Sequence, residues 1–241
     1  MLLPSVFSAL ALADNFQILP DRATQNPTDI IDWNQLGPSA AFTNSTIPSP
    51  QLVTTFNGNP VLVGNINGGD FLRLDEGAPG IPLGWLGNFD FGETLVWTGN
   101  PNFIGGGGPF GMVFAVPVSS FGFNIQADLY GPFTAGVEVF DPSFNPLSFF
   151  TFNGFSDQSV NGSALFAGVY DYSGSNIGAI LISTDSGDPF WNNDFAINDP
   201  SFNNDTPEPT SIALMATVVV FTAAMLRRRS RKMAAGIAAQ A

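Results

Sequence analysis

Phe121, Phe123, Ile125 and Ala127 alternate with Gly122, Asn124, Gln126 and Asp128. A period of two puts the apolar side chains on one face of an extended strand and the polar ones on the other. Val137 and Val139 flank Glu138 in the same way. Residues 164–170 and 177–183 carry longer apolar runs, with Ile180, Leu181 and Ile182 consecutive, and read as strands buried on both faces. Shorter candidates lie at 52–56, 61–63, 71–74, 94–97, 112–116, 147–152 and 195–197. The intervals hold Asn-Gly, Gly-Gly and Asp-Pro, residue pairs that favour turns. Nothing before Ser211 has a helical period. The pattern predicts an all-β body, a β-sandwich of jelly-roll-like form. The stretch after the first residues, up to about Pro50, is polar with a few apolar anchors.

Composition agrees and narrows the chemistry. The 241 residues suit one all-β domain. Charged residues are 11% of the chain, while Phe (24), Gly (26) and Pro (19) are abundant, so burial and turns must carry the fold. From Asp14 to Glu208 there are twenty acidic residues against two basic ones, Arg22 and Arg73, a net charge of −18. Such a body repels phosphate backbones, which excludes nucleic acid as a partner. The absence of cysteine removes disulfides and thiolate chemistry. The absence of histidine removes the commonest general base and the commonest transition-metal ligand. An enzyme built on this chain would depend on carboxylates, Tyr, Ser or its few bases.

The two ends differ from the middle. Leu2 to Leu12 is apolar and runs into Ala11-Leu12-Ala13, followed by Asp14. Residues 1–13 match the apolar core and cleavage site of a secretory signal peptide, without its basic leading segment. Either the signal is genuine and weak, or the true signal begins upstream; a first core strand is the competing structural reading. At the other end, residues 211–226 carry no charge and are apolar on every face, with Val218, Val219, Val220 and Phe221 in a row. Sixteen residues fall just short of a spanning helix, and the flanking 206–210 bring the segment close to the required length. Five of the seven basic residues follow at once: Arg227, Arg228, Arg229, Arg231 and Lys232. Basic flanks stay cytoplasmic, so this predicts one C-terminal transmembrane α-helix with the acidic body outside and 233–241 as a cytoplasmic tail.

Pro207-Glu208-Pro209, a short apolar helix and an arginine cluster, in that order, closely resemble the PEP-CTERM sorting signal across 206–232. The resemblance implies an exported protein of a Gram-negative bacterium that makes extracellular polysaccharide. It also implies a membrane-embedded cysteine transpeptidase, an exosortase, as partner. In that family Pro207, Glu208 and Pro209 would be the recognition peptide and Arg227–Lys232 the cytoplasmic stop. The precursor would sit in the inner membrane with one pass before reaching the cell surface or extracellular matrix. The extension 233–241 is longer than is usual for the family. "DFAINDPSF" (194–202) resembles the closing strand of PEP-CTERM ectodomains, with Asn198 where an Asp is usual.

Candidate sites in the body compete with ordinary structural roles. The Gly105–Gly108 run lacks the Lys-Ser/Thr and helix of a phosphate loop and reads as a turn. Asp185, Asp188 and Asp194, with Asn192 and Asn193, offer oxygen ligands for Ca²⁺, although their spacing matches no known calcium loop and solvated turns look the same. Trp33, Trp85, Trp97, Trp191, Tyr130, Tyr170 and Tyr172 could stack on sugars or fill the core. Of these, Trp191 lies in the most polar loop. Glu76, Glu93 and Glu138 are available to a glycosidase, but nothing in the sequence pairs two of them across a cleft. The expectation is therefore a non-enzymatic surface or matrix protein without a cofactor. The alternative is an extracellular carbohydrate-binding module, with or without calcium. A hydrolase using carboxylates alone is the third reading.

Overall fold

The alternation at 121–127 becomes a strand whose Phe121, Phe123, Ile125 and Ala127 have no exposed surface. The computed structural model describes residues 15–43, 45–77, 84–100 and 103–204, all within the unit Met1–Asn204. In chain order the strands are β1 (Phe16–Leu19), β2 (Asp29–Ile30), β3 (Gln51–Thr54), β4 (Pro60–Asn65), β5 (Leu72–Glu76) and β6 (Gly84–Trp85). Next come β7 (Thr94–Trp97), β8 (Gly99–Asn100), β9 (Phe103–Gly106), β10 (Phe110–Val118), β11 (Ser120–Ala127) and β12 (Gly131–Phe140). The last five are β13 (Pro146–Ser156), β14 (Leu165–Asp171), β15 (Ile177–Asp185), β16 (Phe195–Asn198) and β17 (Ser201–Asn203). The helices are short: α1 (Arg22–Gln25), a 3₁₀ turn (Trp33–Leu36) and α2 (Ala40–Thr43).

The described strands form an all-β, sandwich-like pair of sheets. One runs β1-β14-β11-β16-β7-β5-β6, with β17 beside β11 and β2 beside β17. The other runs β13-β12-β15-β10-β4-β3. Their inner faces share a single apolar core, to which Phe110, Met112, Val137 and Ile182 come from one sheet and Phe121, Val169, Phe195 and Ile197 from the other. Phe114 of β10 meets Phe202 of β17 edge-on at 5.0 Å across the interface. Phe110 takes the edges of Phe71 at 5.5 Å and Trp33 at 6.5 Å. Such edge contacts add to the stabilisation from area burial.

The first sheet is covered on its outer face as well. Leu72, Leu74, Trp85, Phe89, Leu95, Ala164 and Ala196 form a second apolar cluster there, with Ala40 packed on it. This explains why β11 is buried along almost its whole length, polar positions included. Its Gln126 accepts from Asn88 N at 2.7 Å and from Trp85 Nε1 at 3.3 Å. The second sheet keeps the simple half-buried pattern, seen in β13, where Phe149, Thr151, Asn153 and Phe155 face outward.

Several expectations need correction. The apolar run at 52–56 stops as a strand at Thr54, and Phe56 enters a turn. Thr55 N donates to Asn59 O and Gly58 N to Thr55 O, both at 2.9 Å, and Gly58 has φ of +84°, which favours a residue without Cβ. Of the glycine run read as a turn, Gly105 and Gly106 belong to β9, which pairs with β8, while Gly107 and Gly108 lie outside the strands. There the backbones crowd: a Cβ on Gly106 would lie 1.7 Å from Asn193 O. Within the polar N-terminal stretch, residues 16–19 and 29–30 are strands that a hydrophobic pattern could not reveal. Among the described residues no helix is long and apolar enough to cross a membrane. The predicted signal peptide (1–13) and the predicted span at 211–226 lie outside the described residues.

Two carboxyls are enclosed without a cation. Glu76 has no exposed surface; its Oε1 accepts from Gly87 N at 2.8 Å and its Oε2 has no hydrogen-bond partner among the described residues. Burial, with the Glu93 carboxylate nearby, outweighs these backbone donors and raises it from 4.5 to about 7. Asp194 is likewise raised to about 7, by burial first and Asp128 second, against a hydrogen bond from Trp97 Nε1.

Two predictions follow from this packing. Phe110→Ala leaves a cavity between the sheets and should cost about 3–5 kcal/mol in chemical denaturation, while Phe149→Ala, at a side chain 60% exposed, should stay within about 0.5 kcal/mol. Equal effects would show that the core is not shared as described. The second concerns pH. An acid whose folded pKa is raised binds its proton more tightly in the folded state, so ionising it opposes folding. The contribution of Glu76 is fully present below 4.5 and is lost as pH rises through about 7. Glu76→Gln should therefore raise the melting temperature at pH 8 by a few degrees relative to its effect at pH 5. A variant that melts identically relative to wild type at both pH values would contradict a raised Glu76.

Candidate functional site

The 3₁₀ turn begins after Asp32, whose Oδ1 accepts from Asn34 N at 2.8 Å as an N-cap. This turn, the end of β3 and the loop before β17 surround an open depression of about 500 Å³. Asp32, Asn34, Thr54, Thr55, Phe56 and Asp199 line it, and the Phe56 ring is 85% exposed. The depression lies where the two sheets are joined along one edge. β2 pairs with β17 in the first sheet, while Ile31 bridges Thr55 and Phe56 N donates to Ile30 O at 2.7 Å on the side of the second. Asp29 braces the turn, taking Asn57 N at 3.0 Å on Oδ1 and Asn59 Nδ2 at 3.2 Å on Oδ2.

Behind this edge lies a polar network of long sequence separation. Arg22 donates through Nη1 to Asp199 O at 2.9 Å and through Nη2 to Asn198 Oδ1 at 3.1 Å and Asn124 Oδ1 at 3.4 Å. Asn198 Nδ2 donates to Glu93 Oε1 at 2.5 Å and to Asn124 Oδ1 at 3.1 Å. An aspartate at 198 would set its carboxylate against that of Glu93, so the amide at this position has a local electrostatic reason. Trp33 Nε1 closes the seam by donating to Asn198 O at 2.9 Å. Asp199 Oδ1 accepts from Trp33 N at 3.0 Å. Burial raises the Asp199 carboxyl to about 6; Asp32 and Glu93 push the same way, while Trp33 N–H and Arg22 oppose it.

The residues singled out in the sequence are dispersed. Asp185 is exposed and accepts from Gly187 N at 2.8 Å, and Asp188 accepts from Phe190 N at 3.0 Å. The Asn192 amide, turned so that nitrogen meets oxygen, reaches Asp188 O at 3.3 Å and Asp185 Oδ1 at 3.2 Å. Asp194 points elsewhere, under Trp97 at 2.6 Å. Among the described residues no group of three acidic side chains is gathered in a way that could hold a metal ion. Trp191 is half-buried, and the ring that protrudes from its loop is Phe190, 73% exposed. Trp33 and Trp85 are buried, and Trp97 packs edge-on against Trp85 at 5.9 Å. Tyr170 and Tyr172 contact each other at 4.9 Å, and Tyr130 donates to Leu86 O at 3.1 Å.

Glu76 and Glu93 are neighbours across β5 and the start of β7, with Glu76 N donating to Glu93 O at 2.9 Å. The Glu76 carboxyl is closed off from solvent. Glu138 is half-buried in β12 of the other sheet. Pro207, Glu208, Pro209, Arg227, Arg228, Arg229, Arg231 and Lys232 lie outside the described residues. Sequence reasoning missed Asp32, Asn34, Phe56 and Asp199. The Asn57-Gly58 pair directly after Phe56 was the available signal, since it marks Phe56 as a turn residue exposed beside a strand end.

A second depression, about 300 Å³, lies on the outer face of the second sheet over Gly64 and Gly111, with Pro50, Leu62, Ile66 and Val113 around it. It presents no charged side chain, so the edge depression is the stronger candidate.

Comparison with known proteins adds little. No protein-family model matches the chain, and no curated protein matches it. Among solved structures, a DUF4465 family protein from Bacteroides caccae is similar over 73% of this chain and 100% of that one, at 8% identity and a TM-score of 0.37. A likeness that loose carries no argument about this chain.

Proposed function

We propose that this chain is the precursor of an exported, non-enzymatic surface protein: a jelly-roll-like β-sandwich followed by one transmembrane helix. Its PEP-CTERM signal directs it to an exosortase. The body is then released to the cell surface or the exopolysaccharide matrix of a Gram-negative bacterium. The observation that carries this reading is the tail: Pro207-Glu208-Pro209, an uncharged run at 211–226 and the cluster Arg227–Lys232, in that order. The charge distribution supports it, since nearly all acids precede the tail and most bases follow the apolar run.

A second reading, an extracellular carbohydrate-binding module, is favoured by one feature of the body. The edge depression sets an exposed aromatic ring beside carboxylates, an amide and hydroxyls, the set of groups that a sugar needs. Asp185, Asp188 and Asp194, the calcium ligands of that reading, are not gathered at one point, and Trp191 is half-buried. The depression offers Phe56 in place of Trp191.

Mass spectrometry of the full chain, expressed in cells with and without an active exosortase, tests the first reading. The expected product in the presence of the enzyme ends near residues 206–209 and lacks the apolar run and arginines. A C-terminus intact through Ala241 with the enzyme active would overturn it.

A further inference from the structure

We infer that the edge depression is a binding subsite for a neutral pyranose unit of a polysaccharide, with Phe56 as stacking platform, Asp32 and Asp199 as hydroxyl acceptors and Asn34 as donor. This rests on the carbohydrate-binding reading above and specifies its site and ligand class.

The valences at the site point to such a ligand. Each carboxylate is held through one oxygen by the backbone around Trp33. Asp199 Oδ1 takes Trp33 N, and Asp32 Oδ1 takes Asn34 N. The second oxygen of each makes no hydrogen bond among the described residues. Asn34 is also half used: its Oδ1 accepts from Arg73 Nη2 at 2.5 Å, which orients the amide, and its Nδ2 makes no bond there. The depression therefore offers two spare acceptors and one spare donor at fixed positions. A ligand that satisfies them brings hydroxyls on an otherwise apolar ring face. A pyranose supplies groups of both kinds, hydroxyls for the polar side chains and a C–H face for the phenyl ring.

Phe56 is held ready for this. Its backbone N–H is bonded to Ile30 O, and its turn is fixed by Asp29 and by the Thr55–Asn59 pairing. The ring is thus presented by a rigid turn at the seam of the two sheets, so little conformational freedom is lost on binding. A phenyl ring this exposed is also unfavourably hydrated, which adds a driving force for covering it. An anionic polymer is excluded. The body carries −18, and Asp32 and Asp199 at the depression would repel uronic acids or sulfated sugars.

The test uses the full chain in mild detergent, titrated with linear neutral hexasaccharides of glucose, mannose and galactose and with hexagalacturonate, each with and without EDTA. At least one neutral hexasaccharide should bind and hexagalacturonate should not. Phe56→Ala and Asp32→Asn should each weaken binding about tenfold or more, and Phe149→Ala should leave it unchanged. Asparagine at 32 keeps the N-cap. Near-UV circular dichroism and melting temperature should be unaltered in both site variants. Absence of neutral-glycan binding, binding that survives Phe56→Ala, or binding abolished by EDTA would each overturn the proposal. None of these outcomes touches C-terminal processing, which the mass spectrum reads independently.

Discussion

Cations are the scarce component of this body, and its polar interior is organised around the two that it has. Arg22 and Arg73 face twenty acidic residues up to Glu208, and both are turned inward. Arg22 ties α1 to Asn124, Asn198 and the Asp199 carbonyl, and so links the N-terminal segment to β11 and the end of β16. Arg73 makes a two-pronged pair with Asp75 at 2.8 Å while holding Asn34. Everything else that is acidic and enclosed must be compensated without a positive charge.

The chain uses two substitutes. The first is the amide: Asn198 before Glu93, Asn59 before Asp29 and Asn176 before Asp171. Each presents an N–H to a carboxylate at no cost in desolvated charge. The second is the proton. Where burial exceeds what the donors return, at Glu76, Asp194 and Asp199, the pKa rises to about 7, 7 and 6. A body with 11% charged residues can bury this many carboxyls only because it keeps some of them neutral or amide-capped.

This also separates what was legible in the sequence from what was not. The strands β7, β10, β11, β12, β14 and β15 follow from alternation or apolar runs, because their side chains face a core and burial selects residue type. The short strands β1, β2 and β17 are held by backbone pairing and by side chains such as Gln25 and Asn203, which leave no periodic trace. Reading the aromatic residues as candidate sugar platforms was undirected for a similar reason. Trp33 and Trp85 serve the core and the seam, whereas Phe56 resembles any apolar residue at a strand end until its turn is seen. Asp32 and Asp199 are 167 positions apart in the chain and meet only because both flank the backbone of Trp33.

The scarcity of cations shapes the candidate site as well. A depression lined by carboxylates, with no arginine or lysine at its surface, is rich in acceptors and poor in donors. It cannot bind an anion, and it has no acidic third partner to close a metal shell among the described residues. What remains is a ligand that supplies its own donors while covering a phenyl ring. The same edge carries the sheet-to-sheet bridge at Ile31 and Thr55 and the Trp33 indole bonded to Asn198 O. The interactions that hold the two sheets in register thus also fix the positions of the site's side chains. Rigidity at the seam and preorganisation of the depression are one structural property, present in the fold before any ligand arrives.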